Sequence, residues 1–237
     1  MDPARDYTVK STRPCIDHFY RLLKQSKTVI LYAANIDPVA LGKAQNRSTD
    51  LNITDNASMT KMDSLIKYLG GKNTDYAGID RPTIYVGAEG SLFQCYREDV
   101  SLQAINMHVA GSPKIWFVVP PKYYQAFCNF LMKLGLSVSE RLCSSIIQHK
   151  SFFVDPRAVI AEGIPVHTIV QRPGEIVYLL PNAVHWGFNV GWNVNEAVNC
   201  ASKTYANFGM LSAQRCQCES VRHYKHKFDI SRILREA

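Results

Sequence analysis

The sequence predicts a mainly β domain, arranged as a barrel or sandwich with helices on its outside. Most segments between residues 82 and 201 have the apolar runs and alternation of strands, and turn residues such as Pro and Gly separate many of them. A few segments in this region, the first beginning at Pro121, have helical spacing instead. Many strands interrupted by helices indicate one layered β domain.

The first 81 residues are predicted to be mixed in structure. We expect a helix over 14–24, where apolar residues recur at helical spacing, and a short strand over 28–32. Residues 41–57 are polar and indicate a loop. A second helix is expected over 58–69, with Ser58 as its cap and two glycines after its end.

The rest of the chain alternates strands with short helices. The expected strands cover 83–86, 92–96, 101–109, 114–119, 167–171, 175–180 and 197–201. The helix that begins at Pro121 should bury Tyr124, Phe127, Cys128 and Leu131. We also expect helices over 140–148 and 156–162, a turn at Arg172-Pro-Gly, and a basic helical tail over 219–237.

The composition fits one large domain with a substantial core. The 237 residues are 46% hydrophobic and 20% charged, which excludes wholesale disorder. The net charge of +7 favours an acidic partner such as nucleic acid or chromatin, although a merely basic soluble protein fits it equally well. No apolar run approaches the roughly 18 residues of a membrane span, and residues 1–14 have no apolar core of a signal peptide. We therefore expect an intracellular protein.

The chain has seven cysteines. An odd number in an intracellular chain favours thiols or metal ligands over a disulfide framework.

Two segments contain the residues that indicate chemistry, Phe93 to Asn106 and Leu180 to Asn193. Non-haem iron oxygenases hold Fe(II) with two histidines and one carboxylate on one face. The usual sequence form is H-x-D/E followed by a distant His, because residues i and i+2 of a strand point the same way. In this chain the three positions are Tyr96, Glu98 and His185.

These segments resemble the JmjC histone lysine demethylases, nearest to the zinc-containing subfamily that acts on trimethyl-lysine of histone H3. The motifs agree in order: INMHVAGSPKIWFVVPP at 105–121, HWGFNVGWN at 185–193 and CQC at 216–218. The resemblance covers 14–220, between an N-terminal tail of 1–13 and a basic tail of 221–237. It implies a double-stranded β-helix, the jelly-roll or cupin-like JmjC barrel, with a helical insertion and a C-terminal zinc site. We expect no jumonji N-terminal domain, because only about a dozen residues precede the resemblance.

The resemblance also implies roles for individual residues. The iron ligands fall on Tyr96, Glu98 and His185. The 2-oxoglutarate residues fall on Tyr32, Asn106 and Lys114. The methyl-lysine pocket falls on Gly78, Tyr85, Glu98, Ala197, Val198 and Asn199. A structural zinc ion is expected on Cys143, His149, Cys216 and Cys218, four ligands that suffice for a closed tetrahedral site. His223 and His226 lie nearby in sequence without a family counterpart.

Tyr96 departs from the family, which has histidine at this position. Neutral imidazole is a good Fe(II) ligand, whereas tyrosine binds iron only as phenolate, with an ordinary pKa of about 10. The substitution therefore predicts weak Fe(II) binding.

Three functions follow as hypotheses. The first is an active Fe(II)- and 2-oxoglutarate-dependent demethylase in the nucleus that acts on a histone H3 tail or another methylated protein. The second is a weak or inactive JmjC protein that binds methyl-lysine or chromatin, which Tyr96 favours. The third is a protein side-chain hydroxylase on the same scaffold.

Overall fold

The described part of the structure is dominated by strands. The structure is a computed structural model that describes residues 13–14, 16–17, 19–21, 32–36, 79, 81–135, 146–150, 152–202 and 205. Its strands are β1 (Ala33–Ile36), β2 (Thr83–Gly87), β3 (Leu92–Tyr96), β4 (Gln103–Gly111), β5 (Lys114–Val119), β6 (His167–Gln171), β7 (Ile176–Leu179), β8 (Val184–Asn189) and β9 (Asn193–Cys200).

The strands form two sheets in which every neighbouring pair is antiparallel. One sheet has the order β1-β2-β9-β4-β7 and the other the order β3-β8-β5-β6. Side chains from both sheets pack together in one apolar cluster, which shows that the sheets face each other. This arrangement of two facing antiparallel sheets confirms the predicted jelly-roll fold class.

Two short α-helices pack on the outside of the four-stranded sheet. Helix α1 (Tyr124–Lys133) follows a 3₁₀ turn at Pro121–Tyr123, and α2 (Pro156–Ala161) begins after Asp155. The Asp155 carboxylate accepts a hydrogen bond of 2.9 Å from the Arg157 backbone N–H, which caps α2. No helix among the described residues is long and apolar enough to cross a membrane.

Strand alternation separates the outer core from the inner cavity. On β5, Ile115 and Phe117 point outward into a core shared with α1, α2 and Trp186 of β8. Between them Trp116 points inward, into the cluster between the two sheets. On β8, Gly187 provides room for this inner layer, because a Cβ there would lie 2.6 Å from the Phe93 ring. The period of two along each strand therefore assigns one face to the core and the other to a candidate site.

Several predicted elements are confirmed within about two residues, and the differences have local causes. The strand expected over 101–109 becomes β4, because Asp99–Ser101 forms a 3₁₀ turn first. Tyr32 lies just before β1 rather than inside a strand over 28–32. The strand expected over 197–201 is longer, at Asn193–Cys200.

Other expectations were incomplete or lie outside the described residues. Strand β8 was not predicted, because its polar residues and glycine obscure its apolar alternation. Phe130 is buried on α1 in addition to most of the expected stripe, whereas Tyr124 is only half-buried. The expected helix over 58–69 and the tail over 219–237 lie outside the described residues, as does most of the helix expected over 140–148, whose last residues form a 3₁₀ turn at Ile146–His149.

Candidate functional site

The pairing of β3 with β8 brings the three predicted iron-ligand positions together. Tyr96 is the register partner of His185, after a register shift between Phe93 and Tyr96. Glu98 follows β3 in an extended conformation, with φ −61° and ψ 149°. The Tyr96 and His185 rings are 4.2 Å apart between centroids, and His185 Nε2 lies 3.3 Å from Glu98 Oε1.

The Glu98 carboxylate is held by an amide on the opposite sheet. Asn199 of β9 donates a hydrogen bond of 2.9 Å from Nδ2 to Glu98 Oε2. Burial by itself raises the pKa of the Glu98 carboxyl. The imidazole of His185, the charge of Lys150 and the hydrogen bond from Asn199 together lower that pKa below its ordinary value. Glu98 is therefore a carboxylate at neutral pH.

His185 presents a nitrogen to the same point as Glu98. Its ring is fully buried, and Nδ1 lies 3.3 Å from the Ala183 carbonyl oxygen. This contact favours the tautomer in which Nδ1 donates and Nε2 keeps its lone pair. Nε2 has no hydrogen bond of acceptable geometry in the described part of the chain, although Glu98 Oε1 is 3.3 Å away.

A cation fits between these two atoms. A buried lone pair that faces a carboxylate oxygen is unfavourable unless a positive charge lies between them. Two ligands at right angles on one metal ion, each with a bond of about 2.1 Å, are about 3 Å apart, close to the separation of Glu98 Oε1 and His185 Nε2. Glu98 and His185 therefore fit two positions of a metal site.

Tyr96 contributes an aromatic ring to this site, and not a third imidazole or carboxylate ligand for a metal ion. Burial raises the pKa of its phenol well above the usual value, and the negative charge of Glu98 raises it further. The phenol is thus neutral, whereas a phenolate is needed to ligate iron. Within the described residues no group of three His, Cys, Asp or Glu side chains is arranged to hold a metal ion.

A cavity of about 410 Å³ connects these residues with the predicted acid-binding residues. Lys114 at the start of β5 is only 2% exposed, and its ammonium lies over the rings of Phe93 (4.4 Å), Trp116 (5.3 Å) and Tyr32 (5.6 Å). No acidic side chain among the described residues pairs with it, and burial lowers the pKa of its amine to about 7. Asn106 Oδ1 is also buried without a hydrogen-bond partner in this part of the structure.

The other predicted site residues divide into those inside the cavity and those outside the described residues. The predicted pocket residues that line the cavity are Tyr85, Glu98, Ala197, Val198 and Asn199. Gly78 lies outside the described residues. So do three of the four predicted zinc ligands, Cys143, Cys216 and Cys218. His149 ends the 3₁₀ turn at Ile146–His149, and burial lowers the pKa of its ring.

Comparison with protein families agrees with this fold. Residues 83–200 match the model of the JmjC domain, described as a hydroxylase, and this range runs from β2 to β9. The chain carries a JmjC domain. The resemblance predicted from the sequence is therefore confirmed at the level of the family.

The JmjC chain is also similar to lysine-specific demethylases. It is 32% identical over 145 residues to the probable lysine-specific demethylase 4F of Homo sapiens, which is 61% of this chain and 22% of that protein. It is 32% identical over 145 residues to the lysine-specific demethylase 4D of Rattus norvegicus, 61% of this chain and 28% of that protein. It is 33% identical over 143 residues to the lysine-specific demethylase ELF6 of Arabidopsis thaliana, 60% and 11%. The chain thus spans less than a third of the length of each of these relatives.

Sequence reasoning missed several residues of the JmjC cavity. Phe93, Trp116 and Lys150 line it, and Gln171 supports it from β6. Gln171 accepts a hydrogen bond from Trp116 Nε1 (2.8 Å) and donates one to the Asn106 carbonyl oxygen (2.9 Å), which ties the two sheets together. Trp116 had a usable signal, since it lies two residues after Lys114 on one strand face. For Gln171 and Lys150 we find no such signal, because only tertiary contacts bring them here.

Proposed function

We propose that this JmjC domain binds Fe(II) and 2-oxoglutarate and removes methyl groups oxidatively from trimethyl-lysine of histone H3. The observation that supports the proposal is the meeting of three groups in one cavity of about 410 Å³. These are the converging Glu98 and His185 atoms and the buried Lys114 ammonium, which has no acidic partner among the described residues.

The acid end of the cavity suits the distal carboxylate of 2-oxoglutarate. A buried cation without a counter-ion is unfavourable, and a carboxylate ligand relieves that cost. The Asn106 amide Nδ2 and the Tyr32 hydroxyl can donate directional hydrogen bonds to a bound acid. The rings around the Lys114 amine exclude water and so strengthen its ion pair with the ligand.

The metal end of the cavity has two protein donors. Glu98 and His185 would hold Fe(II), and Asn199 keeps the Glu98 carboxylate in place. When bound with 2-oxoglutarate and oxygen, Fe(II) supplies the oxidation that releases an N-methyl group as formaldehyde. Two donors fix a metal less firmly than three. We therefore expect weak Fe(II) binding and slow turnover.

The substrate end accepts a methylated ammonium. Tyr85 offers an aromatic face, and Glu98 and Asn199 offer oxygen atoms to a quaternary ammonium group. Gly78, Ala197 and Val198 complete the proposed pocket. The pocket chemistry favours a methylated histone tail as partner, the net charge of +7 favours the acidic DNA of the surrounding chromatin, and the proposed location is the nucleus.

We also propose a structural zinc ion on Cys143, His149, Cys216 and Cys218. The support is the resemblance and the tetrahedral ligand chemistry of three cysteines with one histidine. This ion would fasten the C-terminal segment to the helical insertion.

A second candidate is a domain that binds methyl-lysine without turnover. The neutral Tyr96 phenol favours it, because the ring replaces a donor that catalysis needs and adds an aromatic surface that binding uses. Both candidates share the substrate end and differ at the metal end.

An anaerobic Fe(II) titration with 2-oxoglutarate, followed by exposure to oxygen, tests the proposal. Succinate and formaldehyde are then measured with and without a trimethyl-lysine peptide. Demethylation yields both products, and both should be lost in His185→Ala but not in Gln125→Ala, whose residue lies on the exposed face of α1. Peptide binding without either product supports the binding domain, and succinate without formaldehyde supports the side-chain hydroxylase. Absence of both Fe(II) and 2-oxoglutarate binding contradicts the proposed function.

A further inference from the structure

Lys150 lies inside the candidate site although neither the sequence motifs nor the proposed reaction assigns it a role. It directly follows the 3₁₀ turn at Ile146–His149 and has a left-handed backbone conformation, with φ +49°. Its side chain is one-third exposed and lines the cavity. Its ammonium lies 4.8 Å from the centre of the Tyr96 ring and 3.6 Å from Asp99 Oδ2.

These neighbours are the groups that an ammonium ligand requires. Two carboxylates, Glu98 and Asp99, are adjacent in sequence and both line the cavity. The Tyr96 ring adds a π face, which attracts a cation. The Lys150 charge also acts on Tyr85, the aromatic residue of the proposed methyl-lysine pocket. The chain thus places one of its own lysines in the cavity that contains the proposed methyl-lysine pocket.

The other lysine of the cavity provides a contrast. The Lys114 amine faces only aromatic rings and has no carboxylate partner among the described residues, so that end of the cavity suits an anion. The Lys150 ammonium lies 3.6 Å from Asp99 Oδ2, in a cavity that Glu98 also lines, so its end suits a cation. The two ends therefore prefer ligands of opposite charge, and the Lys150 side chain occupies the end that prefers a cation.

We propose that Lys150 is a specificity-determining residue that occupies the cation subsite formed by Glu98, Asp99 and the Tyr96 ring, and that a methylated lysine binds by displacing it. The inference rests on the proposed methyl-lysine pocket but on neither iron nor turnover. A trimethyl-ammonium group competes through its charge and its contact with the rings, whereas a neutral side chain of the same shape gains nothing from the carboxylates. Lys150 therefore makes the pocket selective for ligands that bind the subsite more strongly than the Lys150 ammonium does.

The expected size of the effect is modest. When a pocket has to open before it binds, the apparent affinity falls by the fraction of molecules that are open. Partly exposed ion pairs and cation–π contacts of this kind close such a subsite by only a few-fold. Removal of the Lys150 charge should therefore raise the affinity for a cationic ligand by about two- to fivefold.

The test compares Lys150→Met with Lys122→Met in protein without iron that keeps its proposed zinc ion. Lys122 is a matched control, because its ammonium lies 5.0 Å from the Tyr123 ring but on an exposed turn. Binding is measured for a trimethyl-lysine peptide and for the same peptide with carbon in place of the quaternary nitrogen. Lys150→Met should bind the cationic peptide about two- to fivefold more tightly and the neutral peptide as the parent does. Lys122→Met and the charge-preserving Lys150→Arg should match the parent.

Unchanged or weaker binding of the cationic peptide by Lys150→Met overturns the proposal. An equal gain for the neutral peptide, or the same gain in Lys150→Arg, also overturns it, because charge would then not be responsible.

A measurement without ligand separates this inference from the proposed function. Acetylation of lysines under limiting reagent, followed by mass spectrometry, should modify Lys150 more slowly than Lys122 in the parent and faster in Asp99→Asn than in the parent. If Lys150 reacts as fast as Lys122, the occupied subsite is refuted. If Lys150 is protected in this way but no variant binds either peptide, Lys150 still occupies the subsite. That result would contradict the methyl-lysine pocket of the proposed function.

Discussion

The two ends of the cavity differ in how well they match their predicted roles. At the acid end, the buried Lys114 amine has no acidic partner among the described residues, as expected of a group that would bind an anion. At the metal end, Glu98 and His185 converge, but Tyr96 contributes a neutral ring where the resemblance predicts an imidazole donor. The proposed cosubstrate binding and the proposed metal chemistry therefore have separate requirements in one cavity, and we expect that each can be altered without the other.

The largest effect is expected from loss of the proposed zinc ion, which would support the metal end through His149 and the adjacent Lys150. Purified protein should contain about one zinc ion per chain. Cys216→Ala should lose this zinc and lower the thermal midpoint of unfolding, because metal binding contributes directly to folding free energy. Metal analysis by mass spectrometry and thermal unfolding check both. The control Cys128→Ala, at a free buried cysteine of α1, should keep its zinc, and full zinc retention in Cys216→Ala would contradict the ligand set.

The next effect tests the acid end alone. Lys114→Met should weaken 2-oxoglutarate binding by about 100-fold or more, because it removes the only cation proposed to face the ligand carboxylate. Stability should not fall, because methionine has a similar length and replaces a buried amine that lacks an acidic partner in the described structure. Calorimetry and thermal unfolding measure the two quantities, with Lys122→Met as control. Equal 2-oxoglutarate affinity in Lys114→Met and the parent would show that Lys114 does not bind the ligand carboxylate.

The metal end is tested by restoring its donor. Tyr96→His should raise Fe(II) affinity by about tenfold or more and raise, or create, demethylation of a trimethyl-lysine peptide, because imidazole supplies a neutral nitrogen at the same strand position. Anaerobic Fe(II) titration and formaldehyde release measure both. Tyr96→Phe is the matched control, and it should behave as the parent does.

If the parent turns over faster than the histidine variant, or if Tyr96→Phe loses Fe(II) binding, the phenol is a working ligand. The two ends of the cavity would then not differ as described above.

The most gradual effect is a pH dependence at the acid end, which changes the affinity without changing the sequence. The pKa of the Lys114 amine in the ligand-free domain is about 7, lowered by burial, and the acid ligand binds its protonated form. Below this pH the amine is already charged, so affinity should be constant. Above it, binding has to take up a proton, and the affinity for 2-oxoglutarate should fall by about tenfold per pH unit. Calorimetry in buffers of different ionisation enthalpy measures the proton uptake. A flat affinity between pH 7 and pH 9 would show that the amine stays charged without ligand.

Much of the fold was predictable because strand periodicity is a local property. The predicted strands around Thr83, Leu92, Lys114 and His167 are confirmed. Successive side chains of a strand point to opposite faces whichever strand it pairs with, so its pattern can be recognised in the sequence alone. Strand β8 was missed because its inward face has the polar residues and the glycine that the cavity requires.

The site was predictable only in part. Glu98, His185, Lys114 and Asn106 line one cavity, and the roles that the motifs assign to them stay predictions. The zinc ligands and Gly78 stay predictions, because most of these residues lie outside the described part of the chain. Gln171 and Trp116 were not anticipated as a pair, since their hydrogen bond joins residues that are 55 positions apart.

The sequence by itself determined which chemical groups the cavity contains, including Tyr96 at the position where the resemblance predicts histidine. Residue types and the two-residue period of a strand are local properties of the sequence, so they can be recognised without the fold. Only the tertiary structure decided the charge states and neighbours of those groups. The raised pKa of the Tyr96 phenol, the lowered pKa of the Lys114 amine and the placement of the Lys150 ammonium all depend on burial and on charges brought close through space. These interactions join distant segments, so no local pattern of the chain encodes them.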